Sequence, residues 1–418
     1  MIKKILIAFL CVVAHGVFAQ NGTISPYSYF GIGDHRDNGA VDTQMMGGVS
    51  MYGDSIHINL SNPAAYSKLR LTAYTAGISH KEYRLKSWDE QQNASVTNLD
   101  YLSIGFPLAR NVGFGFGLMP FSSVGYSLTS TSANGEITNV FEGEGGLNRV
   151  YASIGFEPIK NLSLGVTANF NFGNLEYQRV QSVEGVQFGT LDNRESSVNG
   201  YDFNYALNYT PTIKDKYTLY TSVLINTQGN LVSKNNQTLG SFSLSNGNNV
   251  EVVDVDLDAS NLRNTELKIP TRTTMGLGFG ENKKWFLGAE YSFQKMSDFE
   301  NTFLGLDNVD YSDASTYALG GYWIPDYRAL TGYLNRITYR AGLRYDVTGM
   351  VVNNKEINNF GITFGLGLPL GADFSNLNVG FELGRRGTTD ANLIEESYFK
   401  INLGLSLNAR WFVKTKIN

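Results

Sequence analysis

The chain is poor in cysteine, in proline and in charge, and after its first residues it has no long apolar run. Its single cysteine, Cys11, lies in an N-terminal stretch that reads as an export leader, so the mature chain has no disulfide or thiolate chemistry. Charged residues are only 17% of the total, and the balance is acidic. Setting aside Lys3 and Lys4 of the leader leaves 33 − 2 = 31 basic residues against 38 acidic, which argues against a nucleic-acid partner. No later segment has the length and apolarity of a membrane helix. Metal-ligand spacing is missing too: outside the leader the histidines are His35, His57 and His80, far apart, with no HExxH pattern. The stretch around Ser50, GGVSMYG, is not a nucleophile elbow, and no catalytic triad or carboxylate pair can be assembled. These absences predict a protein that is not an enzyme and needs no cofactor or metal.

The leader itself is well formed. Lys3 and Lys4 give a positive start, residues 5–13 an apolar core too short to span a bilayer, and Val17 and Ala19 the small residues before cleavage. Residues 1–19 are therefore predicted to be a signal peptide, with the mature chain beginning near Gln20.

What the chain has in abundance is glycine, 45 residues, and aromatics, 13%, at a mean hydropathy of −0.18. Soluble proteins rarely combine these, whereas a transmembrane β-barrel does, because only alternate residues face lipid and aromatic girdles mark both interfaces. The last stretch alternates almost without error. Phe399, Ile401, Leu403, Leu405 and Leu407 point one way, and Lys400, Asn402, Gly404, Ser406 and Asn408 the other, as the period of a strand demands.

The same alternation, broken by turn signals, predicts strands at 69–83, 96–108, 112–129, 147–158, 162–180, 197–210, 217–233, 268–280, 285–299, 314–323, 336–348, 357–369, 377–385 and 396–412. The prediction is an all-β fold: a 14-stranded antiparallel transmembrane β-barrel over residues 69–418, with an N-terminal lumenal hatch at 20–68. Links after even strands are mostly short, except 324–335 after the tenth, where a small helical or plug-like element is expected, and links after odd strands are long, the longest near 234–267. Short turns are periplasmic in such barrels, so both mature termini are expected on the periplasmic side of the outer membrane. The 234–267 link alternates like an extended hairpin. Glycine runs, at 113–117, 276–280 and 365–367, put large apolar residues outside and glycine inside, leaving room for something within the barrel or easing its curvature.

Residues 20–67 do not alternate and are too polar for a core of their own, so the economical place for them is the lumen. Here the chain resembles the FadL/TodX outer-membrane transporters. The resemblance rests on Gly47-Gly48, Asp54 and Asn62-Pro63-Ala64 ahead of the first strand. Ser25-Pro26-Tyr27-Ser28, Gly31-Ile32-Gly33 and Ile58-Asn59 make it more similar still to a FadL-like group of Bacteroidota. The resemblance implies a plugged barrel in which hydrophobic small molecules are captured outside and leave sideways through the wall at a kinked third strand. PorV-type secretion barrels share the Asn-Pro-Ala element, which keeps a second reading open: a non-transporting accessory barrel of an envelope secretion or outer-membrane protein assembly complex.

Two sets of residues follow as candidates. Pro120 falls within the third strand, where it cannot donate to the ladder, so a kink, bulge or lateral gate is expected there, unless the strand ends nearby or Pro120 sits above the membrane. Arg340, Arg344, Asp346, Glu382, Lys400 and Arg410 are predicted to face the lumen, either paired and anchoring the hatch or lining a selective pore. The partners expected are outer-membrane lipid, a hydrophobic small molecule, or an envelope protein complex.

Overall fold

The computed structural model describes residues 22–36, 39–132, 134–305, 308–371 and 375–411, so the predicted signal peptide lies outside the described residues. The chain forms a closed fourteen-stranded antiparallel barrel. Its strands are β1 (Thr72–Lys86), β2 (Gln91–Ala109), β3 (Val112–Thr131), β4 (Ile137–Ile159), β5 (Leu162–Val183), β6 (Phe188–Tyr209) and β7 (Tyr217–Asn226). They continue as β8 (Arg272–Glu281), β9 (Trp285–Gln294), β10 (Ala314–Trp323), β11 (Thr338–Val352), β12 (Lys355–Leu370), β13 (Ser375–Arg386) and β14 (Glu395–Ala409). Neighbours in sequence pair in space, and β14 closes on β1 from Thr72↔Ala409 to Lys86↔Glu395. Closure leaves no sheet edge in lipid, which is what permits strands to cross a membrane.

Alternation is the reason for the fold. Along β6 the burial pattern alternates from Ser196 to Tyr209, with Tyr201, Phe203, Tyr205 and Leu207 outside and Asp202, Asn204 and Asn208 inside. Trp323 packs against Tyr339 at 5.7 Å, and Phe279 against Trp285 at 5.9 Å, forming an aromatic girdle at the short-link end. Outward apolar side chains and closed ladders make this a barrel of the outer-membrane type.

The barrel is asymmetric. β4, β5 and β6 run on well beyond the lipid-facing residues at the long-link end, and the strand Gly229–Ser243 pairs with β6 from Ser243↔Phe188 to Asn230↔Tyr201. A hairpin partner, Asn249–Asp254, adds to the other side of Gly229–Ser243, so the long link is an extended hairpin. The link after β10 carries only a short 3-10 turn, Tyr333–Arg336.

Candidate functional site

The described residues ahead of β1 pack against the wall, and inward-facing wall glycines are where they rest. A Cβ at Gly342 would overlap the amide of Gly47, and one at Gly320 the carbonyl of Met46. Gly365 and Gly380 hold Met45, Gly278 and Gly288 hold Met51, Gly113 and Gly115 hold Tyr66, and Gly155 and Gly165 hold Pro63 and Ala64. Only glycine lets two backbones approach so closely. Gly47 and Gly48 have φ of +69° and +85°, a turn that L side chains adopt at a cost. There the Gly47 amide donates to Thr363 Oγ1 at 3.1 Å.

Polar side chains fix the rest of this segment. Glu290 of β9 accepts from the amides of Ser50 and Met51 at 2.9 and 2.7 Å, and from the Ser50 hydroxyl. Asn62 caps the 3-10 helix Pro63–Lys68 by accepting from the Ala64 amide, and its Nδ2 donates to Asn208 Oδ1 at 3.0 Å. Asp54 closes a tight turn: one oxygen accepts the amides of Ile56 and His57, and the other meets His57 Nδ1 at 2.7 Å. Burial disfavours the charge on both groups, but their mutual attraction and the hydrogen bonds they make together outweigh it. Asp54 is thereby held below the ordinary carboxylate pKa, and His57 above that of a free imidazole. At the short-link end Lys68 meets Glu157 at 3.2 Å.

Five of the six candidate charges are engaged by the N-terminal segment or by other side chains of the wall. Arg340 donates to Asn378 Oδ1 at 2.9 Å. Arg344 bridges Asp346 at 3.1 Å and Glu382 at 3.2 Å, and Glu382 also accepts from Tyr398. Lys400 reaches Gln44 Oε1 of the lumenal segment at 3.4 Å. Arg410 differs: it lies one residue past the end of β14 and is exposed, because the ladder with β1 stops at Ala409.

Further charged groups belong to the same interior. Arg149 meets Asp202 at 2.8 Å beside Asn169 and Asn171, with its guanidinium 4.2 Å from the Phe121 ring centroid. Arg386 meets Asp34 at 2.6 Å, and the Ser25 hydroxyl donates to Glu396. Asp202 was legible, since Tyr201 and Phe203 face outward on either side of it. Asp34 was not, because no periodicity governs the segment it lies in.

At Pro120 the wall changes. The β2–β3 ladder ends at Leu102↔Leu118, and the register of β3 against β4 shifts between Pro120 and Ser122. Residues 121–126 are then buried on both faces, so alternation is lost for that stretch. β2 carries its own register shift next to Tyr101, on its other edge, in the ladder with β1. The edge of β3 that β2 leaves bare is taken by the N-terminal segment. Asp34 and His35 pair with Ser123 and Ser122, the Arg36 amide donates to Phe121 O, and Ser28 exchanges hydrogen bonds with Gly125. Gly22, the first described residue, also lies against Ser123, well up β3 from the short-link end.

A cavity of about 440 Å³ remains beside this seam. Pro120 and Phe121 line it, but so do Asp34, Arg149, Arg272 and Glu382. Among the described residues no group of His, Cys, Asp and Glu is arranged to hold a metal ion.

A family model described as BamG matches residues 1–418. The chain belongs to the BamG family. No curated protein is recognisably similar to it. Among solved structures this BamG-family barrel is similar to the Ralstonia pickettii toluene transporter TbuX, at 12% identity and a TM-score of 0.60 over 88% of this chain and 98% of that one. It is also similar to the Pseudomonas putida toluene transporter TodX, at 16% identity and a TM-score of 0.60 over 91% and 99%. A Pseudomonas aeruginosa FadL homologue matches at 12% identity and a TM-score of 0.56 over 90% and 98%. The fold of this BamG-family chain is thus that of the FadL/TodX-type barrels.

Proposed function

We propose that this barrel is a non-transporting accessory component of an outer-membrane protein assembly or secretion complex. The observation that carries this reading is the interior. The segment ahead of β1 is tied to the wall along its length, and the space left over is not a greasy tunnel, because ionised and amide side chains such as Asp34, Arg149, Asn169 and Glu382 stand among the apolar ones that line it. An oily solute would have to displace those pairings, and a buried charge stripped of its partner is costly. The strand-rich extension at the long-link end supports the same reading, since the longest link is the extended hairpin its alternation predicted rather than an apolar surface for capturing an oily solute. In this reading residues 20–68 are a fixed plug, the short links face the periplasm, and the extension faces outward.

The interrupted ladder at Pro120 favours a second reading. In it, small molecules leave through the β2–β3 seam once the strand Asp34–His35 moves aside, as the resemblance to toluene transporters suggests. Depletion of the protein in cells separates the two. The accessory role predicts falling levels of other outer-membrane proteins, together with unchanged entry of labelled toluene into proteoliposomes carrying the purified barrel. Toluene entry that depends on the barrel, with other outer-membrane proteins unaffected by depletion, would overturn the accessory role in favour of transport.

A further inference from the structure

The strand Asn249–Asp254, sequence NVEVVD, ends the sheet that rises from β4, β5 and β6. One of its edges pairs with Gly229–Ser243, from Phe242↔Asn249 to Thr238↔Asp254. Its other edge pairs with no strand among the described residues. All six residues are exposed, and Val250, Val252 and Val253 are each more than half exposed. Proteins that leave a strand edge bare usually guard it with a short strand, with charge (lysine above all), with proline or with a bulge that turns the edge away. Here there is no proline and no lysine, and the one register shift falls near Asn249, leaving residues 251–254 in regular pairing with Glu251 and Asp254 as their charges. An edge guarded by carboxylates alone repels acidic strands and remains a template for a basic one.

Charge says which strand. Each face of residues 251–254 carries one valine and one carboxylate: Val252 with Asp254, and Glu251 with Val253. Asp256 and Asp258 follow directly. On the face that carries Asp254, the neighbouring strands bring three exposed glutamates into direct cross-strand register, Glu144↔Glu176↔Glu195. Like charges placed opposite one another destabilise a sheet, whereas a cation-rich strand laid beside Glu251 and Asp254 meets opposite charge and avoids that repulsion. A second copy of the same acidic edge would aggravate it.

We infer that Asn249–Asp254 is a docking edge for an extended, lysine- or arginine-bearing segment of a partner protein, which adds to the sheet as a further strand. The inference rests on the accessory reading and names the kind of partner that reading requires.

The test uses full-length protein in mild detergent and a labelled peptide, Lys-Val-Lys-Val-Val-Lys, followed by fluorescence anisotropy and by hydrogen exchange. Binding should weaken steeply with salt and slow the exchange of alternate amides within 249–254. The double variant Glu251→Lys with Asp254→Lys should bind about tenfold more weakly or worse. Adjacent strand amides face opposite edges, so Val252→Pro and Val253→Pro are both made, and the one whose amide faces the bare edge should lose binding while the barrel stays folded. Equal binding of an acidic peptide, or no added protection in 249–254, would overturn the inference. So would salt-dependent dimerisation abolished by the same variants, which would assign the edge to a second copy. In cells, other outer-membrane proteins at normal levels with the edge variants, but falling on depletion of the whole protein, would refute this edge while leaving the accessory role standing.

Discussion

Arg386 on β13 and Asp34 of the lumenal segment stand 2.6 Å apart, although 352 residues separate them in the chain. Asp34 is also one of the two residues that pair with β3 where β2 withdraws. A cation on one wall therefore holds down the short strand that closes a seam in another. Arg386→Gln should free that strand. Both side chains keep some solvent contact, 14% and 18%, so the local cost is on the order of 1–2 kcal/mol rather than that of a fully buried pair. Hydrogen exchange at His35 and Ser123 should quicken while the β5–β6 ladder is unaffected. Unchanged exchange at the seam would show that the backbone pairing holds without the ion pair.

The wall glycines predict a steric result. Gly342→Ala sets a methyl group against the Gly47 amide, where the opposing atom is backbone and cannot swing away. Overpacking of this kind costs about 1–3 kcal/mol. The urea midpoint of the folded barrel should fall, and a protease should trim the N-terminal segment sooner. Gly229→Ala, whose Cβ would meet nothing closer than 3.7 Å, is the matched control and should behave like the parent.

Glu290 is an acceptor for backbone rather than a partner for a cation. Glu290→Gln keeps an acceptor oxygen but loses the charge, at about 1–2 kcal/mol, whereas Glu290→Leu leaves the Ser50 and Met51 amides without a partner at about 1–3 kcal/mol each. Amide exchange at Ser50 and Met51 should rank parent slowest, glutamine next and leucine fastest. The reverse order for the two variants would mean that the segment is held there by packing alone.

The Asp54–His57 turn predicts a pH window. The pKa of Asp54 is lowered in the folded chain, so its contribution is complete above about 4, the unfolded value, and is lost as pH falls through the lower folded value. The pKa of His57 is raised, so its contribution is complete below about 6.5 and is lost as pH rises through the higher folded value. Protection of the Ile56 and His57 amides, corrected for intrinsic exchange, should be greatest between about pH 4 and 6.5 and decline on both sides. His57→Asn should abolish the alkaline decline and leave the acidic one.

Much of the wall was legible in the sequence because lipid on one side and a polar lumen on the other impose period two. β10, predicted at 314–323, is observed as Ala314–Trp323. The same rule oriented Arg340, Arg344 and Glu382 inward. Legibility ended where lipid ends. β6 was expected from 197 and begins at Phe188, because residues 188–196 lie beyond the lipid-facing stretch and carry polar groups on both faces. The seventh strand was expected to run unbroken to 233, but it divides at Thr227-Gln228, where pairing passes from β8 to the strand Asn264–Ile269. Inside the barrel, Gly47-Gly48 and Asn62-Pro63-Ala64 were singled out by the family resemblance, without any sign of what they would touch. Which wall group meets which turn depends on a path across the lumen that no local pattern encodes, and the Asp34–Arg386 pair is the clearest example.

The glycine seats also tie the closure of the wall to what it encloses. Gly404 on β14 receives Val41, while Gly105 on β2 receives Ile58 and Gly113 on β3 receives Tyr66. The first strands and the last are thus moulded to one and the same stretch of chain. A ring closed without that stretch would leave seats bare on both sides of its own closing seam. Closure of β14 on β1 and the seating of this segment are therefore coupled, each completing a surface the other needs.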